Sequence, residues 1–300
     1  MKKISLFSTV IAMVAFTSCE QGDALTSDEI TNIESVASLD LASEEAMASG
    51  FEDLDLISEA GMDLLDIDLN TNGRGDQGKK RGRKRNRIDY SLECAVVDKD
   101  TVNQVITIDF GDGCESPNGT VRKGKIIIEY TGDRHTAGSY RMVTLVDFYV
   151  DSLHLEGIRR TEVVSSDSLS RVVKTTLTNG QVTFPDETFA TRTAEHTKSM
   201  FQGDDESDDY TIVTGGASGL KVDGSEYSIT ILEDLLIKRS CNGAHIVIPV
   251  SGVKEIVNAE STATMDYGDG TCDNEVDITI DGVTTTKTIE PKGRGSRRKG

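Results

Sequence analysis

The sequence predicts an all-β protein. Its strands form a long antiparallel meander, as a curved sheet or a sandwich, preceded by a partly helical acidic stalk. Three observations predict this. Residues 88–291 are rich in Thr, Val and Ile, in strand-length runs separated by Gly, Asn and Asp. Only four prolines occur in 300 residues, so little interrupts those runs. No helical pattern lies between consecutive runs, so neighbours connect by hairpins rather than crossovers.

In order, the expected strands are Glu93–Asp98, Gln104–Phe110, Lys123–Thr131, Tyr140–Val150, Leu153–Val164, Arg171–Thr178, Gln181–Phe184 and Thr188–Met200. They continue as Asp209–Thr214, Gly219–Val222, Tyr227–Lys238, His245–Val250, Glu255–Asp266, Asp277–Ile280 and Thr284–Ile289. Asn179-Gly180 between alternating runs is the strongest hairpin signal, and Asp223-Gly224 and Asp281-Gly282 read likewise. The alternation in Thr188-Phe189-Ala190-Thr191-Arg192-Thr193 leaves one face of the sheet wet.

Composition excludes several classes. Asp plus Glu number 51 against 32 Lys plus Arg, a net charge of −19. A bulk acidic chain lacks the basic footprint of a nucleic-acid binder. Tryptophan is absent, which removes the usual stacking platform for sugars or single-stranded bases.

The N-terminus reads as an export signal. Lys2 and Lys3 precede an apolar run, Ile4–Phe16, too short to span a bilayer comfortably. Phe16-Thr17-Ser18-Cys19 follows. Small residues before a cysteine at this distance resemble the lipobox of bacterial lipoproteins. The resemblance implies cleavage after Ser18, acylation of Cys19 by palmitate-type chains, and attachment to a membrane through those chains. Glu20 and Asp23 resemble surface-export signals just after a lipidated cysteine; the alternative is a plain acidic tether.

The mature chain divides by charge. After the signal peptide (1–18), residues 19–72 form the stalk. Between residues 20 and 69 it holds fifteen acids and no Lys or Arg. Thr26 and Glu29 form a capping box, with Ile30, Ile33 and Ala37 in a weak helical stripe. Phe51, Leu54, Ile57 and Met62, Leu65, Leu69 suggest further amphipathic turns. Without cations of their own these helices gain nothing from i,i+4 ion pairs, so the stalk is expected to be mobile. Residues 73–87 invert the charge, with eight Lys or Arg against Asp76. This basic Gly-rich linker reads as a self-complementary tether or a contact for an anionic surface or polysaccharide. Its Arg74-Gly75-Asp76 triplet is of a kind that arises by chance in such runs. Residues 292–300 are a second basic segment, expected to fray.

The β-domain, 88–291, contains an internal echo. Cys94 precedes Asp109-Phe110-Gly111-Asp112-Gly113-Cys114, and Cys241 precedes Asp266-Tyr267-Gly268-Asp269-Gly270-Thr271-Cys272. The copies read as related modules near the two ends of the sheet. Setting Cys19 aside leaves four cysteines, an even number in an exported chain, which favours disulfides. The echo favours Cys94–Cys114 and Cys241–Cys272; the rival is a cross-pairing between the copies. The Asp-aromatic-Gly-Asp-Gly run resembles a turn of PKD-type immunoglobulin-like domains, over about five residues per copy. Asp266, Asp269, Asp273 and Glu275 are candidate ligands for Ca²⁺, which takes six to eight oxygens. A local turn is the alternative, and no other cofactor is expected. Zinc is disfavoured for want of a C-x-x-C or clustered histidines. Asp204, Asp205, Glu206, Asp208 and Asp209 read as a solvated loop.

Enzyme motifs fail on context. Gly119–Lys125 fits a P-loop pattern, but Ile126 stands where the magnesium-binding Ser/Thr belongs and a strand follows. Ser251-Gly252-Val253-Lys254 fits S-x-x-K but is expected in a turn, without partner motifs. His135, His154, His196 and His245 are scattered and read as strand-surface residues. No enzyme is expected.

The lipobox, Lys238-Arg239-Ser240-Cys241 and the two Gly-Asp-Gly turns together resemble bacterial lipoproteins with a β-rich, cysteine-paired ectodomain. That resemblance implies a cell-envelope or outer-membrane location, facing the periplasm or the cell surface, and no particular activity. The expected function is a non-catalytic β-domain that binds an envelope polysaccharide or protein, or serves structurally. Alternatives are a carrier or chaperone holding an apolar ligand on a curved sheet, and a hydrolase.

Overall fold

In the computed structural model the described residues are 50–51, 53–65, 92–117, 119–241 and 249–288. All belong to one unit of the chain, Leu41–Gly300. The leader, Cys19, the linker 73–87, His245 and the basic tail lie outside the described residues. The chain enters by one helix, α1, over residues 50–65. Fourteen strands follow: β1 Val96–Asp100, β2 Val105–Asp109, β3 Cys114–Glu115, β4 Val121–Tyr130, β5 Tyr140–Val150, β6 Leu153–Ser166 and β7 Ser170–Thr183. Then come β8 Phe189–Phe201, β9 Tyr210–Leu220, β10 Glu226–Lys238, β11 Ser251–Asn258, β12 Thr262–Asp269, β13 Glu275–Ile280 and β14 Val283–Thr288. They form one sheet in sequence order, with β3 attached to β4 off the main path. Every pairing among the described strands is antiparallel, for example β6 with β7 and β8 with β9. The expected meander is present as a single open sheet.

The register explains why one sheet suffices. Cross-strand partners share a face, and one ladder row runs Ile106, Ile128, Val143, Arg159, Leu177, Ala194, Ala217, Ile229, Ile256, Ala263, Ile280, Val283. One face thus carries an aliphatic row across the sheet, broken once by Arg159. The adjacent row on the other face reads Thr107, Ile127, Thr144, Ile158, Thr178, alternating hydroxyl with aliphatic. Period-2 patterning therefore produces a helix face and a wetter outer face.

α1 seals part of the helix face. Phe51, Leu54, Ile57, Ala60 and Met62 are buried in one cluster with Ile106, Ile108, Ile126, Ile128, Val143 and Leu155. Each fully buried aliphatic side chain there contributes about 1.5–3 kcal/mol. Gly61 lets the helix approach closely: a Cβ there would lie 3.1 Å from the methyl ends of Ile108 and Ile128. Residues 50–65 are thus not part of a mobile stalk. The cations missing from that acidic segment are supplied by the sheet. Arg122 on β4 donates to Asp53 through Nε at 2.7 Å and also through Nη2. Arg159 on β6 reaches Asp55 at 2.6 Å. Arg134, in the β4–β5 loop, donates to Glu59 at 3.0 Å and Asp63 at 2.6 Å, and Arg141 on β5 pairs with Glu59.

Several local readings are corrected. Asn179-Gly180 is not a hairpin. It is a bulge inside β7, with Asn179 at φ 51° and the register to β6 and β8 shifting across it. The two runs expected there are one strand, because β6 bulges opposite at Gly157 and the two irregularities accommodate each other. Asp209–Thr214 and Gly219–Val222 likewise merge into β9. The run Glu255–Asp266 divides into β11 and β12. Asn258 Oδ1 accepts the Glu260 and Ser261 amides, each at 2.9 Å, and reverses the chain without Gly or Pro. Of His245–Val250 only 249 and 250 are described, and they are not strand. Ser251–Lys254 opens β11 instead of forming a turn, and the P-loop-like run leads into β4 as expected. Asp223-Gly224 and Asp281-Gly282 do turn hairpins, between β9 and β10 and between β13 and β14.

Two stability outcomes are expected. Arg122 is 3% exposed and its partner Asp53 16%, so Arg122→Met strands a carboxylate and costs about 3 kcal/mol. Adding Asp53→Leu recovers most of that loss; urea titrations of the single and double variants measure it. Gly124 has φ +83°, and a Cβ there would sit 1.9 Å from the Asp147 carbonyl oxygen. Gly124→Ala is expected to cost about 3 kcal/mol, from left-handed strain plus backbone displacement. Gly224→Ala has the same sign of φ but an open surrounding, and is expected to cost about 1 kcal/mol.

Candidate functional site

The two cysteine modules are built alike. Asp109 Oδ1 accepts the Gly111 amide at 2.9 Å, and Asp266 Oδ1 accepts the Gly268 amide at 2.9 Å. The intervening aromatics, Phe110 and Tyr267, are 3% and 7% exposed. Each turn therefore plants an aromatic ring in the core while its carboxylate holds the following glycine, at φ 61° and 83°. Disulfides join Cys94 to Cys114 and Cys241 to Cys272, within each module and not between them. Their sequence separations of 20 and 31 residues correspond to roughly 3–4 kcal/mol each in the chain-entropy description. Disulfides persist in oxidising compartments, which places the folded domain outside the cytoplasm.

The candidate calcium ligands are not brought together. Asp269 Oδ1 accepts the Thr271 amide at 3.2 Å. Asp273 accepts the Glu275 amide at 3.0 Å and the Thr271 hydroxyl at 2.7 Å. With Asp266 bonded to Gly268, these carboxylates serve successive turns, and the Asp273 carboxyl is held below its ordinary range by those two bonds. Among the described residues no three His, Cys, Asp or Glu side chains form a metal-ligating group. The acidic run near residue 205 holds a single 3₁₀ turn, Glu206–Asp208, and Asp209 pairs with Arg239 at 3.2 Å.

The histidines stand apart. His135 lies in the β4–β5 loop, not on a strand, its amide bonded to Asp133 Oδ1 at 2.7 Å. His154 stacks on Tyr149 with ring centroids 4.4 Å apart. His196 is half-buried on the helix face, in the row Tyr130, Arg141, Thr161, Thr175, His196. Burial, followed by the charges of Arg192, Lys198, Arg159 and Lys254, pushes its imidazole down to about 4.

Those four cations mark the surface that sequence reasoning missed. In β7–β14, the residues whose pairing or alternation puts them on the helix face include Arg171, Arg192, Lys198, Lys254 and Lys287; the carboxylates in that phase by alternation are Glu233, at the irregularity of β10, and Asp269, at the end of β12. Glu195, Glu226, Glu255, Asp266 and Asp277 all fall on the outer face. In a chain of net charge −19 this is a clear bias. The signal was present as the phase of Lys and Glu relative to the aliphatic positions, but it needed the register to be read.

A shallow depression of about 500 Å³ lies over β7–β9, lined chiefly by Thr176, Thr178, Thr193, Glu195 and Ser218. Those side chains belong to the outer face, and with Leu177, Ala194 and Ala217 they give the hollow a mixed polar and apolar lining. Among the described residues no helix is long and apolar enough to cross a membrane.

His196 gives a pH-dependent outcome. Its folded value near 4 lies below the ordinary 6.5, so between these values the unfolded chain binds more protons and stability falls as pH drops from 6.5 towards 4. His196→Asn is expected to lose less stability than the parent between pH 7 and pH 5, measured by urea midpoints at the two pH values. No protein-family model, no curated protein and no solved structure matches the chain.

Proposed function

We propose that the chain is a lipid-anchored protein of the bacterial cell envelope whose β-domain is a non-catalytic binding module. The anchor is Cys19, read from the lipobox-like Phe16-Thr17-Ser18-Cys19. The binding surface is the helix face beyond α1. The observation that carries the reading is the bias of charge: β7–β14 present Arg171, Arg192, Lys198, Lys254 and aliphatic side chains on that face and place Glu195, Glu226, Glu255, Asp266 and Asp277 on the other. Such a surface offers area, apolar contact and one sign of charge, which are the ingredients of recognition. The two disulfides support work outside the cytoplasm. Several acyl chains on one cysteine give a stable membrane attachment, each buried methylene contributing roughly 0.8 kcal/mol.

Mass spectrometry of the native chain tests the anchor. The expected mature protein begins at Cys19 with acyl chains attached and partitions into the detergent phase, while Cys19→Ala stays in the aqueous phase. A retained leader, or an unmodified thiol at Cys19, would overturn the reading. Protease shaving of intact cells then separates surface from periplasm. Turnover of an ester, glycoside or peptide substrate would overturn the non-catalytic assignment.

A further inference from the structure

Asp is followed directly by Ser or Thr at three places in the sequence: Asp100-Thr101-Val102, Asp151-Ser152-Leu153 and Asp167-Ser168-Leu169. Each time the next residue is Val or Leu. Each time the hydroxyl falls in the turn between two paired strands, β1–β2, β5–β6 and β6–β7. The first and third turns are built alike. Asp100 Oδ1 accepts the Val102 and Asn103 amides at 3.0 and 2.9 Å, and Asp167 Oδ1 accepts the Leu169 and Ser170 amides at 2.8 and 2.7 Å. The second oxygen takes Asn103 Nδ2 at 2.7 Å in one turn and the Ser170 hydroxyl at 2.8 Å in the other. These bonds, the Asn103 amide first for Asp100 and the Leu169 amide first for Asp167, hold both carboxyls below their ordinary range. Each aspartate is thus engaged in fixing its turn. Strand direction alternates along the sheet, so both turns lie at the end where β4 finishes and β5 begins.

The fixed turns hold two kinds of group outward. Thr101 and Ser168 are exposed, and among the described residues neither hydroxyl has a hydrogen-bond partner. Other aspartate turns of the sheet use their hydroxyl. Thr188 Oγ1 donates to Asp186 Oδ1 and Ser225 Oγ to Asp223 Oδ1, each at 2.6 Å. There the hydroxyl comes two residues after the aspartate and folds back onto it. Placed directly after the aspartate, it is released to solvent. The third residue also points to water: Val102 is 89% exposed and Leu169 65%. Turn geometry asks for polar residues or glycine at such positions, so it does not account for an aliphatic one. Asp151-Ser152-Leu153 lacks this feature, because Leu153 packs against the main core and Asp151 Oδ1 accepts the Val121 amide at 3.0 Å.

We infer that Thr101 and Ser168 are acceptors for O-linked glycosylation, presented by aspartate-held turns and recognised through the exposed Val102 and Leu169. The step is a substitution at an anomeric carbon. The Oγ attacks C1 of a sugar carried as a glycosyl diphosphate, and the C1–Oγ bond forms. The bond from C1 to the diphosphate oxygen breaks, its electron pair leaves with the diphosphate, and the hydroxyl proton passes to a base of the transferase. A sugar suits these positions better than a phosphoryl group. Phosphate next to a carboxylate is repelled by like charge, in a chain already at −19. A neutral glycan adds bulk and hydroxyls at the surface without charge. Hairpin turns also let a transferase reach the hydroxyl without opening a strand. The inference goes beyond the binding reading above and uses neither Cys19 nor the helix face.

The test uses the full-length chain purified from its native host, reduced and cut with trypsin, which isolates residues 100–122 and 161–171. Mass spectrometry with electron-transfer fragmentation then locates any added mass. The expected result is one or more sugar residues on Thr101 and on Ser168, removed by alkaline β-elimination. Thr101→Val clears only the first peptide and Ser168→Ala only the second. Leu169→Lys lowers occupancy of Ser168 at least tenfold and leaves Thr101, read in the same molecules, unchanged. Leu169 is exposed, and an unchanged urea midpoint confirms that the variant is folded. A bare hydroxyl at either position overturns the inference, as does a phosphoryl or acyl mass there. So does a sugar on Thr161, Ser165, Ser166 or Ser170 in place of Ser168. Full occupancy of Ser168 in Leu169→Lys overturns it as well.

Discussion

The structure depends on what covers its aliphatic row: in β8–β13 strand side chains bury one another, in the clusters around Leu235 and Ile229, whereas the strands before them need a separate cover. α1 does this for the first half of the sheet. The helix brings Phe51, Leu54, Ile57 and Met62 onto Ile106, Ile108, Ile126 and Ile128. Its seat is fixed by charge as well as by area. Asp53, Asp55, Glu59 and Asp63 each meet an arginine of the sheet or its β4–β5 loop. Desolvated guanidinium and carboxylate groups are costly alone, so each pair makes its own register the only favourable one. Arg159 illustrates the point: it interrupts an otherwise aliphatic row and is accommodated there with Asp55 at 2.6 Å. An acidic segment that looks unable to stabilise itself is stable because its counter-charges are on other strands.

The ends of the sheet solve a different problem. Edge strands expose unpaired backbone groups and invite pairing with other chains. β1 carries Asp98, Lys99 and Asp100, and β14 carries Lys287 on an exposed strand of threonines. Inboard of each edge, a cysteine module ties loops to strands. In both, a carboxylate accepts the amide two residues on and an aromatic enters the core. The strand paired with the motif bears a left-handed glycine, Gly124 or Gly252, pressed against a carbonyl of the next strand. The repetition of turn, ring, glycine and disulfide gives both ends of a long meander a similarly rigid finish.

Between the ends, charge is sorted by face. Burial first, and then the charges of Arg192, Lys198, Arg159 and Lys254, push the His196 imidazole on the helix face down to about 4. The outer face takes most of the carboxylates and hydroxyls of the strands, including those around the hollow at Thr176, Thr193 and Glu195. The division gives one side that is more hydroxylated and solvated and one that is more aliphatic and basic, on one layer of sheet.

The sequence by itself determined the fold class, the hairpin order and the favoured disulfide pairing. Alternation with period 2, scarce proline and the Cys94 and Cys241 echo are local signals that survive without tertiary context. Tyr140–Val150 appears with its expected bounds for that reason. Other choices needed partners in space. Asn179-Gly180 supports a turn or a bulge equally well locally, and the matching irregularity at Gly157 decides for the bulge. Asn258 turns the chain through its own side chain, which no break in the apolar pattern announces. The acids of α1 find arginines 69 to 104 residues away, beyond any helical spacing rule. The charge sorting of the helix face was decided last of all, by register: a one-residue slip of β8 would carry Lys198 and His196 to the outer face and bring Glu195 inward.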